Sequence, residues 1–161
     1  MNPNTDNFIK IVREYCAWSE SSDHDIFQAR MFLLLLMQGV FDLEKFPGAT
    51  VTEKEYPSGK HDPMQFHRIP FQYYPEVFST MDIDSKEVVM GDLLDDLSDI
   101  YCDLWHGLQA LEQGNREYAI AFWRENYIYH WGGHAASALR AVDEYCRRKE
   151  NPYMNDPFWW E

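Results

Sequence analysis

The sequence predicts an all-α protein, a helical bundle of four main helices with a long Pro-rich connection between the second and third. Four long segments carry apolar residues at spacings of three and four, which place those residues on one face of a helix. Hydrophobic residues make up 45% of the chain and aromatic residues 16%, which suits a large buried core. The length of 161 residues fits a single domain over 1–161.

The first two helices are predicted from their caps and apolar faces. The first begins after Asn4 or Thr5, either of which can cap it, and ends within 19–22. The second spans 24–43 with Asp23 as its cap. Because residues 31–37 are apolar nearly all round, we expect this second helix to be the central one.

A Pro-rich connection is predicted over 44–76, because proline cannot donate a backbone hydrogen bond and interrupts both helix and strand. So long a connection is either packed onto the bundle or mobile. Its hydrophobic second half, 66–78, favours packing. A short extended piece is expected at 87–90.

The second half of the chain predicts two long helices that fold back on each other. The third spans 91–113, and Gly114-Asn115 supplies the left-handed residue that ends it. The fourth spans 116–148 and is expected to bend at Gly132-Gly133, where two side chains are missing. An aromatic tail follows over 151–161.

Carboxylates on the third helix are predicted to face histidines on the fourth. Counting back from the turn at 1.5 Å per residue brings Asp99 level with His130 and Asp96 within one turn of His134. Asp103 comes level with Arg124. The preferred interpretation is a structural polar cluster that fixes the helix register, since buried polar groups need partners. Its predicted members are Asp96, Asp99, Asp103, Arg124, His130 and His134.

The alternative interpretation is a divalent-metal site between these two helices. Asp99, His130 and His134, joined by Asp96 or Asp103, form a suitable set of ligands for zinc, iron or manganese. The metal would then act as a Lewis acid or activate water. Neither the Glu that follows the first His in metalloproteases nor a Glu-x-x-His pair is present.

Other candidate residues are weaker. His61, Asp62 and His67 lie in the Pro-rich connection and can ligate a metal, although isolated loop histidines are usually solvated. Cys102 stands in an acidic setting that disfavours a reactive thiolate. The sequence predicts no catalytic residue, and no Gly-rich phosphate loop occurs.

The net charge of −13 argues against nucleic acids and anionic membranes as partners. Three widely spaced cysteines indicate reduced thiols, and the start lacks the features of a signal peptide. The longest apolar run, 31–37, falls far short of the about 20 residues of a membrane span. We therefore expect a soluble cytoplasmic protein.

The function predicted from the sequence is a non-enzymatic protein-binding or interaction module with no cofactor; the alternative is the metal-dependent enzyme. The aromatic tail has two interpretations. Phe158, Trp159 and Trp160 either pack back onto the bundle or form an interface with a partner or a second copy of the chain.

Two motifs resemble an uncharacterised bacterial family, the domain of unknown function 5063. The first reads Asp-Asp-Leu-x-Asp-Ile-Tyr-x-Asp-Leu and the second His-Trp-Gly-x-His, followed by Ala-Leu. The similarity is strongest over 88–141. The resemblance implies a small all-helical cytoplasmic protein and brings no activity or ligand. The residues that carry it are Asp95, Asp96, Leu97, Asp99, Ile100, Tyr101, Asp103, Leu104, His130, Trp131, Gly132, His134, Ala138 and Leu139.

Overall fold

The computed structural model describes residues 3–45, 56–77, 80–82, 84, 87–151 and 154. Within them the chain forms a mostly helical bundle with a small sheet. The helices are α1 (Pro3–Ser19), α2 (Ile26–Val40), α3 (Leu93–Glu112), α4 (Arg116–Tyr129) and α5 (Trp131–Glu150). A 3-10 turn at Pro63–Phe66 precedes an antiparallel hairpin of β1 (Tyr73–Val77) and β2 (Val88–Asp92).

Helix α3 lies at the centre, because it packs against α1, α4, α5 and the 3-10 turn. The expectation that the second helix would be central is wrong: α2 exposes Phe27, Met31 and Leu34 on one face. The apolar residues that surround α2 therefore include a face that is partly exposed to solvent. The core is formed largely by aromatic and aliphatic side chains, the largest fully buried ones being Trp123, Trp131, Tyr15, Phe8 and Phe66.

The helical bundle is confirmed, but it contains five long helices in the described ranges and not four. The predicted fourth helix is two, separated at His130, whose backbone angles of φ −144° and ψ −87° are not helical. Gly132 makes this break possible. A Cβ at Gly132 would lie 2.8 Å from Cδ2 of Tyr127 and would collide with the Tyr127 carbonyl oxygen.

Helix ends differ from the predictions where a different side chain caps the helix. Asp25, and not Asp23, caps α2 by accepting from the Gln28 N–H. Asp92 caps α3 by accepting from the N–H groups of Leu94 and Asp95, so the helix begins two residues later than expected. The left-handed Gly114 after α3 is confirmed, with φ +84°.

The described part of the Pro-rich connection packs onto the bundle. Phe66 and Ile69 are buried, as the hydrophobic second half predicted. The connection also contains β1, which the sequence did not predict; its partner β2 includes most of the extended piece expected at 87–90. Among the helices of the described ranges, none combines the length and the hydropathy that a membrane span requires.

Candidate functional site

A row of carboxylates along α3 faces two histidines at the start of α5. Asp96, Asp99 and Asp103 follow one another at steps of three and four, so they share one face of α3. His134 and His130 lie opposite them, the latter at the break between α4 and α5. The structure thus brings together the carboxylates and imidazoles that the sequence grouped.

His134 is held by a buried carboxylate. Its Nδ1 lies 2.8 Å from Oδ1 of Asp96, whose side chain is only 10% exposed. The hydroxyl of Tyr74, on β1, donates to Oδ2 of the same carboxylate at 2.6 Å. The hydrogen bond to Asp96 raises the pKa of His134. Burial raises the pKa of Asp96, and the hydrogen bonds from His134 and Tyr74 oppose this rise.

His130 is held in the same way by the next carboxylate along α3. Its Nδ1 lies 2.8 Å from Oδ2 of Asp103, and burial raises the pKa of that carboxyl group. The sequence had placed Asp103 level with Arg124. The prediction treated α4 and α5 as one continuous helix. Because they are separate helices with a break at His130, it gave Arg124 and not His130 as the residue opposite Asp103.

Asp99 completes a group of three possible metal ligands. Its Oδ2 lies 3.4 Å from Nε2 of His134. One ligand atom from each of Asp99, His130 and His134 lies within 4.8 Å of the other two. Since the Nδ1 atoms of both imidazoles already contact carboxylates, Nε2 is the nitrogen that each histidine has free for a ligand.

Neutral imidazoles that donate Nδ1–H to a carboxylate are the usual form of metal-bound histidine. The outer carboxylate fixes the ring orientation and the tautomer. Asp96 and Asp103 stand in that relation to His134 and His130. The group therefore has the chemistry of a three-ligand site with outer carboxylate support.

A third imidazole reaches this face of α3 from the Pro-rich connection. Nε2 of His61 lies 3.0 Å from Oδ1 of Asp95 and 3.4 Å from Oδ1 of Asp99. His61, Asp95 and Asp99 form a second group whose ligand atoms lie within 4.8 Å of one another. The sequence had marked His61 as a weak candidate, and no sequence spacing could connect it to α3.

Several predicted site residues lie elsewhere. Arg124 donates from Nη1 to the Leu43 carbonyl at 2.8 Å, away from the polar cluster that it was expected to join. Asp62 pairs with Lys60, and the exposed His67 contacts the Met64 carbonyl through Nδ1. Phe158, Trp159 and Trp160 lie outside the described residues, so their packing stays a prediction.

The Cys102 thiol, next to Asp103 on α3, is half-buried. Burial, with Asp99 and Asp103 adding to the effect, raises the pKa of Cys102 to about 11. At neutral pH this pKa keeps Cys102 in the thiol form, and the shift has the direction that the acidic setting predicted.

A surface cavity of about 290 Å³ opens beside the two histidines. Its remaining wall includes Glu76 and Ser137, which hydrogen-bond to each other across β1 and α5. A cavity of similar size lies beyond Tyr74, between β1 and Arg140 of α5, but it contains neither of the two histidines. A small molecule would therefore reach the Asp/His group through the cavity beside His130 and His134.

Comparison with protein families agrees with the resemblance seen in the sequence. The family model described as a domain of unknown function (DUF5063) matches residues 1–146. The chain belongs to the DUF5063 family. None of the curated proteins compared with this DUF5063 chain matches it.

The fold of this DUF5063 protein has a counterpart among solved structures. The crystal structure of protein BF1032 from Bacteroides fragilis aligns with a TM-score of 0.69 and 18% sequence identity. The alignment covers 89% of this chain and 92% of that one. At this identity the likeness concerns the fold alone.

Proposed function

We propose that the protein binds a divalent cation through Asp99, His130 and His134. One observation carries the proposal: each imidazole contacts a carboxylate through Nδ1, which leaves its Nε2 for a ligand, and Asp99 has a ligand atom within 4.8 Å of a nitrogen of both rings. A purely structural lock needs only the Asp–His pairs themselves. It does not need a third carboxylate beside both imidazoles.

Two nitrogen ligands and one oxygen ligand suit zinc, iron or manganese. A centre with three protein ligands leaves a coordination position for water or a substrate, as in catalytic zinc sites. The cavity of about 290 Å³ beside His130 and His134 supports access to that position. The bound metal would act there as a Lewis acid or activate a water molecule.

The test is elemental analysis of the purified, untagged protein by mass spectrometry, before and after dialysis against Zn²⁺, Fe²⁺ and Mn²⁺. We expect at least one equivalent of one of these metals per chain, and loss of this equivalent in Asp99→Asn combined with His134→Gln. His67→Gln is the matched control, because His67 is exposed and lies outside the cluster. Equal metal content in the double variant and the wild type would contradict the proposal.

A protein-binding role, which the sequence favoured, is the second candidate. The supporting observation is the apolar face of α2, where Phe27, Met31 and Leu34 are 41%, 48% and 52% exposed. Apolar contact surfaces of this kind occur at protein interfaces. Sedimentation equilibrium tests self-association through this face: Met31→Lys with Leu34→Lys should lower the association constant while leaving the metal content unchanged.

A further inference from the structure

The carboxylate of Asp99 lies between two histidines that approach it from different elements. Its Oδ2 is 3.4 Å from Nε2 of His134 on α5, and its Oδ1 is 3.4 Å from Nε2 of His61 in the connection. Each oxygen therefore faces a different imidazole. A carboxylate so placed can bind one cation through each oxygen and bridge them.

The His61 side of this arrangement has a further possible ligand, Asp95. Nε2 of His61 is 3.0 Å from Oδ1 of Asp95, one turn before Asp99 on α3. These two carboxylates are four residues apart, so their like charges oppose each other along the helix. A cation held between them removes that repulsion.

His61 is positioned by contacts on both sides of it in the chain. On one side, the Asp62 N–H donates to the Oγ of Ser98, a fully buried residue of α3, at 2.9 Å. On the other side, Gly59 lies so close to α3 that a Cβ there would be 3.0 Å from Cα of Cys102. The segment is therefore fixed against α3 just where His61 reaches Asp95 and Asp99.

We propose that His61, Asp95 and Asp99 bind a second divalent cation, and that Asp99 bridges it to the cation of Asp99, His130 and His134. This inference rests on the proposed function, because the bridge needs an occupied first site. Two cations that share a carboxylate would lie roughly 3.5–4 Å apart, the separation of two-metal hydrolytic centres.

The two sites differ in the carboxylates that hold their histidines, which predicts an order of binding. Nδ1 of His130 and Nδ1 of His134 each lie 2.8 Å from a largely buried carboxylate of α3, whereas the Asp95 carboxylate beside His61 is 47% exposed. Water competes more effectively for the exposed carboxylate. The first cation therefore binds between α3 and α5, and the second binds more weakly at His61.

Equilibrium dialysis against increasing Zn²⁺, with metal counted by mass spectrometry, tests the inference on the intact chain. We expect two equivalents in two affinity classes for the wild type. His61→Gln should lose the weaker class alone. Asp99→Asn should weaken both classes by at least about tenfold, the loss that removal of even an outer-shell partner produces. His67→Gln should keep both, and circular dichroism verifies that each variant is helical.

The outcomes separate the two proposals. A wild type that binds no Zn²⁺ overturns the proposed function and the second site together. One equivalent that is unaffected by His61→Gln overturns the second site alone. Two equivalents of which Asp99→Asn weakens only one overturn the bridge. Loss of an equivalent in His67→Gln would show that exposed histidines account for the second ion.

Discussion

At the scale of single residues, Asp96 links the candidate site to the hairpin. It accepts a hydrogen bond from Tyr74 of β1 and contacts Nδ1 of His134 on α5. Nearly all of its side chain is buried, so a substitution here acts on the orientation of His134 without opening the site to water. The ring of His134 is consequently directed toward Asp99 by a residue that would not itself bind metal.

We expect Asp96→Asn to lower the affinity for Zn²⁺ by about 10- to 100-fold, because a neutral amide orients and polarises the His134 imidazole less than a carboxylate does. Competition with a chelating indicator dye measures this affinity. Asp143→Asn, which alters an exposed ion pair on α5, is the control. Unchanged affinity in Asp96→Asn would contradict the role of Asp96 in supporting a metal-bound His134.

A second residue-scale prediction concerns His106, whose ring stacks on Phe122 with centroids 4.2 Å apart and contacts the Tyr118 hydroxyl. Burial lowers the pKa of His106, although the charge of Asp103 opposes this. The unfolded chain therefore binds the proton more readily. This contribution lowers the free energy of unfolding as the pH falls through about 6.5, the unfolded value, toward the folded pKa.

His106→Phe should remove this contribution. We expect the variant to lose less free energy of unfolding than the wild type between about pH 7.5 and about pH 5.5, the range in which histidine titrates. Urea denaturation with chelator present, at both pH values, measures the difference. An equal or greater loss in the variant would show that His106 is not held neutral by its surroundings.

At the scale of elements, the break between α4 and α5 determines the geometry of the candidate site. His130 lies at the break itself, and His134 is in the first turn of α5. Gly132 allows the Tyr127 carbonyl and ring to approach closely, whereas nothing lies within 4 Å of a Cβ added at Gly133. The two adjacent glycines thus have different roles.

Gly132→Ala should therefore destabilise the protein and Gly133→Ala should not. We expect a loss of about 1–3 kcal/mol for Gly132→Ala, the range for overpacking in a closely packed position. Gly133→Ala should be neutral or stabilise by up to about 1 kcal/mol, because alanine favours a helix. Urea denaturation gives both values. Similar values for the two variants would contradict this account of the break.

At the scale of the whole molecule, the candidate site joins elements that are distant in sequence. It connects α3 to α5 directly and to the Pro-rich connection through His61. A cation that binds the folded state and not the unfolded state would therefore stabilise all of these contacts together. Without it, the carboxylates of α3 repel one another in a chain that already has a net charge of −13.

Free Zn²⁺ at about 100 times its Kd should stabilise the fold by about 2.7 kcal/mol. For a chain of this size, that corresponds to a rise in Tm of roughly 5–10 °C. Differential scanning calorimetry with and without chelator measures the rise, and His134→Gln should abolish most of it. A Tm that is the same in Zn²⁺ and in chelator would argue that the Asp/His pairs are structural only.

The sequence alone determined the helical class and the carboxylate face of the candidate site, because helical spacing is a local property. Steps of three and four place Asp96, Asp99 and Asp103 on one side of α3 whatever the rest of the chain does. Gly114 ended α3 for an equally local reason, its left-handed backbone. The family resemblance in the two motifs also came from the sequence and agrees with the family match.

Only the tertiary structure decided which groups meet. Because the helix breaks at His130, Asp103 contacts His130 and not Arg124. The break depends on the close approach of Tyr127 to Gly132, and this approach depends on how α4 and α5 pack. The contact of His61 with α3 depends on docking of the Pro-rich connection, which no periodicity encodes. Contacts between segments far apart in the chain follow from packing, and packing is a property of the whole fold.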